Sequence, residues 1–206
     1  MFFQFFSIFL YFSFFSNFLS FSIFLFFLFF YFFFSFFVFF SVFLPVFARH
    51  PEAILEIRTK STQIRSLLEQ SAIKNCVVAM SFTAKEAGDQ WEHKVPSIEK
   101  RIETLRKLQE AGWKVAIRFE PLILGANSIE GYRLLFKKLF AALDVENIHS
   151  VSCGLFRMPV DFHKRIVKLY PDEELFARPA TTNEGMIALK NEHEGSQLAE
   201  VEQQLF

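Results

Sequence analysis

From Leu55 to Lys60 apolar and charged positions alternate: Leu55, Ile57 and Thr59 in one register, Glu56, Arg58 and Lys60 in the other. Successive side chains of a β-strand point to opposite faces, so the three charges share one face. The segment VAIRFEP repeats the device, with Val115, Ile117 and Phe119 against Ala116, Arg118 and Glu120. Between and beyond these segments strands and helices alternate. AILEIRTKS predicts a strand, TQIRSLLEQSA a short helix and CVVAMSFT a second strand, followed by a polar loop from Ala84 to Pro96. SIEKRIETLRKLQEAGW predicts the clearest helix, with Ser97 as N-cap, Glu99 in the first turn and Gly112 as the stop. Its apolar residues Ile98, Ile102, Leu105 and Leu108 recur on one face.

KVAIRFEPLI predicts the next strand, broken at Pro121. Asn127 or Ser128 caps the helix IEGYRLLFKKLFAALD, whose buried stripe is Ile129, Tyr132, Leu135, Leu139 and Leu143. IHSVSCGLFR reads as a strand and Pro159 to Tyr170 as a helix. Beyond Pro171 the pattern dissolves, and Glu192 to Phe206 is polar, a loose helix at most.

Strands alternating with helices of this length imply βαβ units and a parallel sheet, either open and doubly wound or closed into a full or partial barrel. An open sheet covered on both sides is apolar on both faces. Two neighbouring strands with charge on one face therefore favour a β/α barrel whose lumen is a site for an ionic ligand. The alternative is internal pairing, Glu56 with Arg58 and Arg118 with Glu120, although burying such pairs rarely adds net stability.

Composition divides the chain more sharply than periodicity does. Residues 1–48 carry no charge and hold 24 of the 32 Phe, while every Lys, Arg, Asp and Glu lies from Arg49 onward. We divide the chain into a Phe-rich hydrophobic segment (1–48), an α/β body (49–172) and a polar tail (173–206). Ile23 to Leu44 is long and apolar enough for a membrane span. Yet no Lys or Arg flanks its N-terminal side, the tract has no Gly, and its only Ala is Ala48. Nearly all its residue types have codons with T at the first or second position. The favoured reading is the translation of a T-rich DNA stretch; the alternative is a membrane anchor.

The body is balanced in charge, which argues against a polybasic nucleic-acid tail. Cys76 and Cys153, the only cysteines, stand far apart, which fits a reducing compartment. The five histidines form no HExxH, and there is no phosphate loop, GxGxxG or GxSxG. Trp91 and Trp113 read as packing residues, with Trp91 the alternative candidate for touching a base.

Taken in order, LEIRTKS, VVAMSFTAKE, WEHKVPSIEKRIETLRKLQEAGWKVAIRFEPLI, GYRLLFKKLFAAL and VSCGLFRMP resemble the C-terminal half of spore photoproduct lyase, from Pro51 to Tyr170. That resemblance implies the last four strands of a six-unit partial β/α barrel in a cytoplasmic radical-SAM enzyme that repairs a thymine dimer in DNA. It implies S-adenosylmethionine and a 4Fe–4S cluster as cofactors. Lys60 matches the family's lysine that contacts S-adenosylmethionine, and Ser81 the serine at the strand end that holds its ribose or methionine part. An ammonium suits a carboxylate and a hydroxyl suits a sugar or amino group. Arg118 is a third cofactor candidate; Arg58, Glu120 and Arg157 are candidates for the cofactor or a lesion phosphate. The cluster requires a CxxxCxxC motif, which this chain lacks, so the expected function is that of a lyase fragment inactive alone. The other readings kept are a membrane-anchored α/β protein that binds a small ligand without catalysis, and an interaction or remnant domain with no ligand.

Half a barrel leaves strand edges and lumen surface uncovered, which predicts a marginal, poorly soluble body; a cooperative, monomeric unfolding transition would contradict this. A mature product whose N-terminus, by mass spectrometry, is Met1, and which is extracted only by detergent, would contradict the T-rich reading of residues 1–48.

Overall fold

The computed structural model describes residues 36–124, 128–189 and 194–203. Four parallel strands, β1 (Leu55–Thr59), β2 (Cys76–Ser81), β3 (Lys114–Leu122) and β4 (Ile148–Leu155), lie side by side in chain order. This is the α/β arrangement that the alternation predicted, in the incomplete-barrel form that the family resemblance implied. Helices α1 (Phe36–Ala48), α2 (Arg65–Leu68), α3 (Lys85–Trp91), α4 (Ile98–Glu110), α5 (Ser128–Ala142), α6 (Val160–Leu169) and α7 (Glu194–Gln203) complete it, with a 3-10 turn at Val145–Asn147.

The two faces of the sheet differ as the alternating segments require. Leu55, Ile57, Cys76, Val78, Met80, Val115, Ile117 and Phe119 enter one large core with residues of α1, α2, α4, α5 and α7. On the other face Val77, Ala79 and Ala116 form only a small apolar patch. The sheet is therefore covered by helices on one side, and its second side is the lumen side.

Helix α4 begins where Ser97 caps it, the hydroxyl accepting from the Lys100 amide at 3.3 Å. It ends at Gly112, whose φ of +84° lets the Trp113 amide bond back to the Leu108 carbonyl at 3.0 Å. In α5, Tyr132, Leu135, Leu139 and Leu143 are buried as expected, and Ile129 packs against them half-buried. Asn127, the alternative cap, lies outside the described residues. The Glu120–Pro121 bond is cis, and β3 runs on through Pro121 to Leu122 with a register shift against β4.

The strand is thus not broken at Pro121 as expected, and three further expectations are corrected. The stretch from Ala84 to Pro96 is not all loop, for it contains α3. That helix carries Gly88, has no side-chain cap and buries only Ala87, so its periodicity is faint. The tail is more ordered than its composition suggested. β5 (Arg157–Pro159), β7 (Met186–Leu189) and β6 (Ala180–Asn183) form a separate antiparallel sheet, in that order. The β6–β7 hairpin turns through Glu184 and Gly185 at φ of 47° and 76°, the signature of a two-residue turn of the primed type. Helix α7 then buries Val201 in the main core.

The end of the Phe-rich tract also sits on the domain side of the Ala48 boundary. Phe40, Leu44 and Phe47, spaced i, i+4, i+7, are buried in the main core. The Asn75 amide holds the connection to β1, donating to the carbonyls of Phe47, His50 and Ala53 at 2.7, 3.0 and 2.8 Å. Among the described residues no helix is long and apolar enough to cross a membrane, and residues 23–35 of the expected span lie outside them.

Because Leu44 is 2% exposed, Leu44→Ala should cost about 2–5 kcal/mol of stability. Val42→Ala, at a position 55% exposed, should cost no more than about 0.5 kcal/mol. Thermal or denaturant unfolding of the full chain measures both, and equal effects would detach α1 from the core.

Candidate functional site

The charged residues of β1 and β3 meet on the lumen side, but the strands are not neighbours. β2 lies between them, so the side chains reach across about 10 Å of sheet. They can do so because the lumen-facing residues of β2, Val77, Ala79 and Ser81, are all small, and β3 adds Ala116. Arg118 grips Glu56 with two parallel bonds, Nε to Oε1 at 3.1 Å and an NH2 nitrogen to Oε2 at 2.8 Å. Arg58 bridges the two carboxylates, Nε to Glu56 Oε1 at 3.2 Å and NH1 to Glu120 Oε2 at 2.9 Å. Ser152 on β4 donates to Glu120 Oε1 at 2.6 Å. A Cβ on Gly154 would come within 3.1 Å of Glu120 Cγ, so any other residue there would have to displace that side chain by a few tenths of an ångström.

These groups do pair internally, though not as adjacent i, i+2 couples alone: Arg118 takes Glu56 rather than Glu120. Arg118 is 6% exposed at its side chain. Besides Glu56 it donates to the Ser150 hydroxyl and to the carbonyls of Ile117 and Ser150. Its guanidinium is thus committed to the sheet, which makes it a structural centre and a poor direct ligand for a cofactor. Burial works to raise the Glu56 carboxyl, but Arg118 and Arg58 outweigh it and hold the group below its ordinary value. Glu120 follows the same balance, with burial opposed by Ser152, Arg58 and Arg118.

A second cluster forms where β1 and β2 end. Lys60 follows β1, and its ammonium pairs with Glu92, which follows α3. Glu92 Oε1 also accepts from Thr83 at 2.6 Å, and Oε2 from Arg101 of α4 at 3.2 Å. Arg101 donates to the backbone carbonyl of Ser81 at 2.8 Å and lies over the Phe82 ring. Ser81, on the lumen side opposite Arg118 in register, is buried. Lys60 and Ser81 are thus brought to one place, the carboxyl edge of the parallel strands, where ligands of such sheets bind. Burial depresses the Lys60 ammonium and Arg101 adds to this, while Glu92 restores part of it.

Glu92, Thr83 and Arg101 were not singled out from sequence. Glu92 sits in a stretch that reads as loop, and Arg101 falls one residue before Ile102 in a helix whose polar positions look solvated. Arg157 joins neither cluster; it is exposed on β5 in the second sheet. Trp91 is taken up in packing, its indole donating to Glu173 at 2.8 Å under the Arg178 guanidinium.

Both cysteines lie on the helix-covered side. Burial pushes the Cys76 thiol up to about 12, and burial with Glu202 and Glu120 pushes Cys153 up to about 11. An iron–sulfur cluster wants several thiolates together. Two protonated thiols pointing away from the lumen do not fit one. Among the described residues no group of three or more His, Cys, Asp or Glu is placed to hold a metal ion.

Residues 42–178 match the family model described as spore photoproduct lyase. Among solved structures, the chain is similar to a spore photoproduct lyase double mutant (cysteine to alanine, serine to cysteine) with bound AdoMet and dinucleoside spore photoproduct. The TM-score is 0.63 at 19% identity, covering 74% of this chain and 47% of that one. A spore photoproduct lyase complexed with dinucleoside spore photoproduct gives 0.61 at 19% identity, and a tyrosine-to-phenylalanine mutant 0.61 at 18%, with the same coverage. At these identities the likeness is one of fold, and this chain spans about half the length of those proteins. No curated protein matches it.

The lumen-side network makes a pH prediction. Glu56 is held below its ordinary 4.5, so its contribution is fully present above that value and is lost as pH falls through the lower folded value. Glu56→Gln, which strands the buried Arg118, should be less stable than wild type at neutral pH. The gap should narrow as the wild type is taken below about pH 4.5. Thermal melts across that range measure it, and a gap independent of pH would show that Glu56 is not ionised in the fold.

Proposed function

The chain belongs to the spore photoproduct lyase family, and from that premise we propose that it is the cofactor-binding C-terminal half of such a lyase, with no catalysis of its own. The observation that carries this reading is the meeting of Lys60 and Ser81 at the carboxyl edge of β1 and β2, joined through Glu92 and Arg101. Lys60 and Arg101 against the single carboxylate of Glu92 leave one positive charge in a partly buried place, with Lys60 the member nearest solvent. Such a place accepts a carboxylate.

In this reading S-adenosylmethionine supplies the reactive group when bound. Lys60 holds its carboxylate, and the Ser81 hydroxyl bonds its sugar or amino group. Arg58, half-buried at the lumen side, is the candidate for the lesion phosphate and Glu120, paired with it, for a donor group of the lesion, while Arg118 serves by fixing Glu56. The nucleic-acid partner is DNA carrying a thymine dimer of the spore photoproduct type. No step runs through an iron–sulfur cluster, because Cys76 and Cys153 do not fit one; the parent activity therefore needs thiolates that this sequence does not supply. The location that goes with this function is the cytoplasm.

Calorimetry of the full chain with S-adenosylmethionine tests the reading. We expect saturable binding, weakened at least about tenfold by Lys60→Met, the order of one charge-assisted hydrogen bond. Supplied with reductant and dinucleoside spore photoproduct, the chain should release no repaired product. Absence of binding, or repair by the chain alone, would overturn it.

A further inference from the structure

Glu92 does not depend on Lys60 for its place. Thr83 and Arg101 hold its two oxygens separately, and Arg101 is itself fixed by the Ser81 carbonyl and the Phe82 ring. The three charged side chains differ in exposure: 3% for Arg101, 12% for Glu92 and 28% for Lys60. The buried member thus faces the carboxylate from behind, and the member nearest solvent faces it from the front.

That order has an electrostatic result. With Lys60 alone, Glu92 would form a closed, neutral pair, and an incoming carboxylate would have to compete with it. With Arg101 behind, the Glu92 charge is already balanced, and the ammonium has donors beyond the one it gives to Glu92. We propose that Arg101 is a positioning residue that acts through Glu92, neutralising it so that Lys60 keeps its charge available for the carboxylate of the ligand. This rests on the reading of Lys60 and Ser81 as the S-adenosylmethionine site and adds what sets the strength of that site. Arg101 need not touch the ligand at all.

A purely structural Arg101 and a charge-setting one make opposite forecasts for a double variant. Arg101→Gln leaves Glu92 free to neutralise Lys60, whereas Arg101→Gln with Glu92→Gln leaves Lys60 charged again. We expect Arg101→Gln to weaken S-adenosylmethionine binding by about tenfold, a change of about 1.4 kcal/mol. Decarboxylated S-adenosylmethionine, which lacks the group in question, should bind within about twofold of wild type. The double variant should bind S-adenosylmethionine more tightly than Arg101→Gln alone. Calorimetry on the full chains reads all three, with thermal melts confirming that each variant folds and Arg101→Lys, which keeps the charge, as the variant to use if Arg101→Gln does not; it should bind both ligands close to wild type. Equal losses for both ligands, or a double variant weaker than the single, would overturn the proposal while leaving Lys60 as the site. Wild type that binds neither ligand would overturn both readings.

Discussion

The paired bonds between Arg118 and Glu56 are the constraint around which the sheet is arranged. They join the first strand to the third over the top of the second, so everything on β2 that faces the lumen must be small. Val77, Ala79 and Ser81 meet that demand on β2, and Ala116 of β3 joins the two apolar ones in a small cluster on that side. Without them the guanidinium and carboxylate would be too far apart or too crowded to meet. With them, the desolvation of two arginines and two glutamates is offset by mutual pairing and by Ser150 and Ser152 on the fourth strand. The charges are thereby paired among themselves, which leaves the carboxyl edge of the sheet to the separate Lys60 cluster.

Two kinds of chemistry are thus kept apart on one face. The lumen-side network is internally neutral, with two acids against two bases. The edge cluster is not neutral, carrying two bases against one acid. A ligand with a carboxylate therefore finds its attraction at the strand ends and not over the middle of the sheet. That division follows from which helices feed each cluster: α3 and α4 deliver Glu92 and Arg101 to the edge, while the neutral network comes from strands alone. It also accounts for why Lys60 and Arg118, equally basic in sequence, have different fates.

Much of the architecture was legible in the alternation of single residues. Leu55, Ile57 and Thr59 against Glu56, Arg58 and Lys60 separated the faces of β1 correctly, and the same was true of β3, because a strand has a period of two and both faces had distinct chemistry. Ser97 and Gly112 marked α4 because a cap and a left-handed stop depend on local conformation. The failures were equally physical. Nothing near Lys85 to Trp91 has strong helical periodicity, since that helix buries little. The β6–β7 hairpin is four residues a side and its first strand is exposed throughout, so no burial pattern betrays it. That Arg118 would choose Glu56 over Glu120 depends on strand order, which adjacency in sequence does not reveal. Glu92 and Arg101 could have been noticed only by asking what would balance a lysine at a strand end.

The seating of α1 leads further. Phe40, Leu44 and Phe47 fill the core, yet a slide by one turn that brought Phe36, Phe40 and Phe43 to the same hollows would still offer them aromatic bulk. Side-chain shape therefore discriminates weakly between alternative placements of this helix. What does discriminate is the Asn75 amide, which accepts no shift, because its three carbonyl partners exist at only one point where the helix unwinds. A largely repetitive apolar helix is thus given an address in part by a polar side chain from elsewhere in the chain, beside what its own Ser41 and Pro45 contribute.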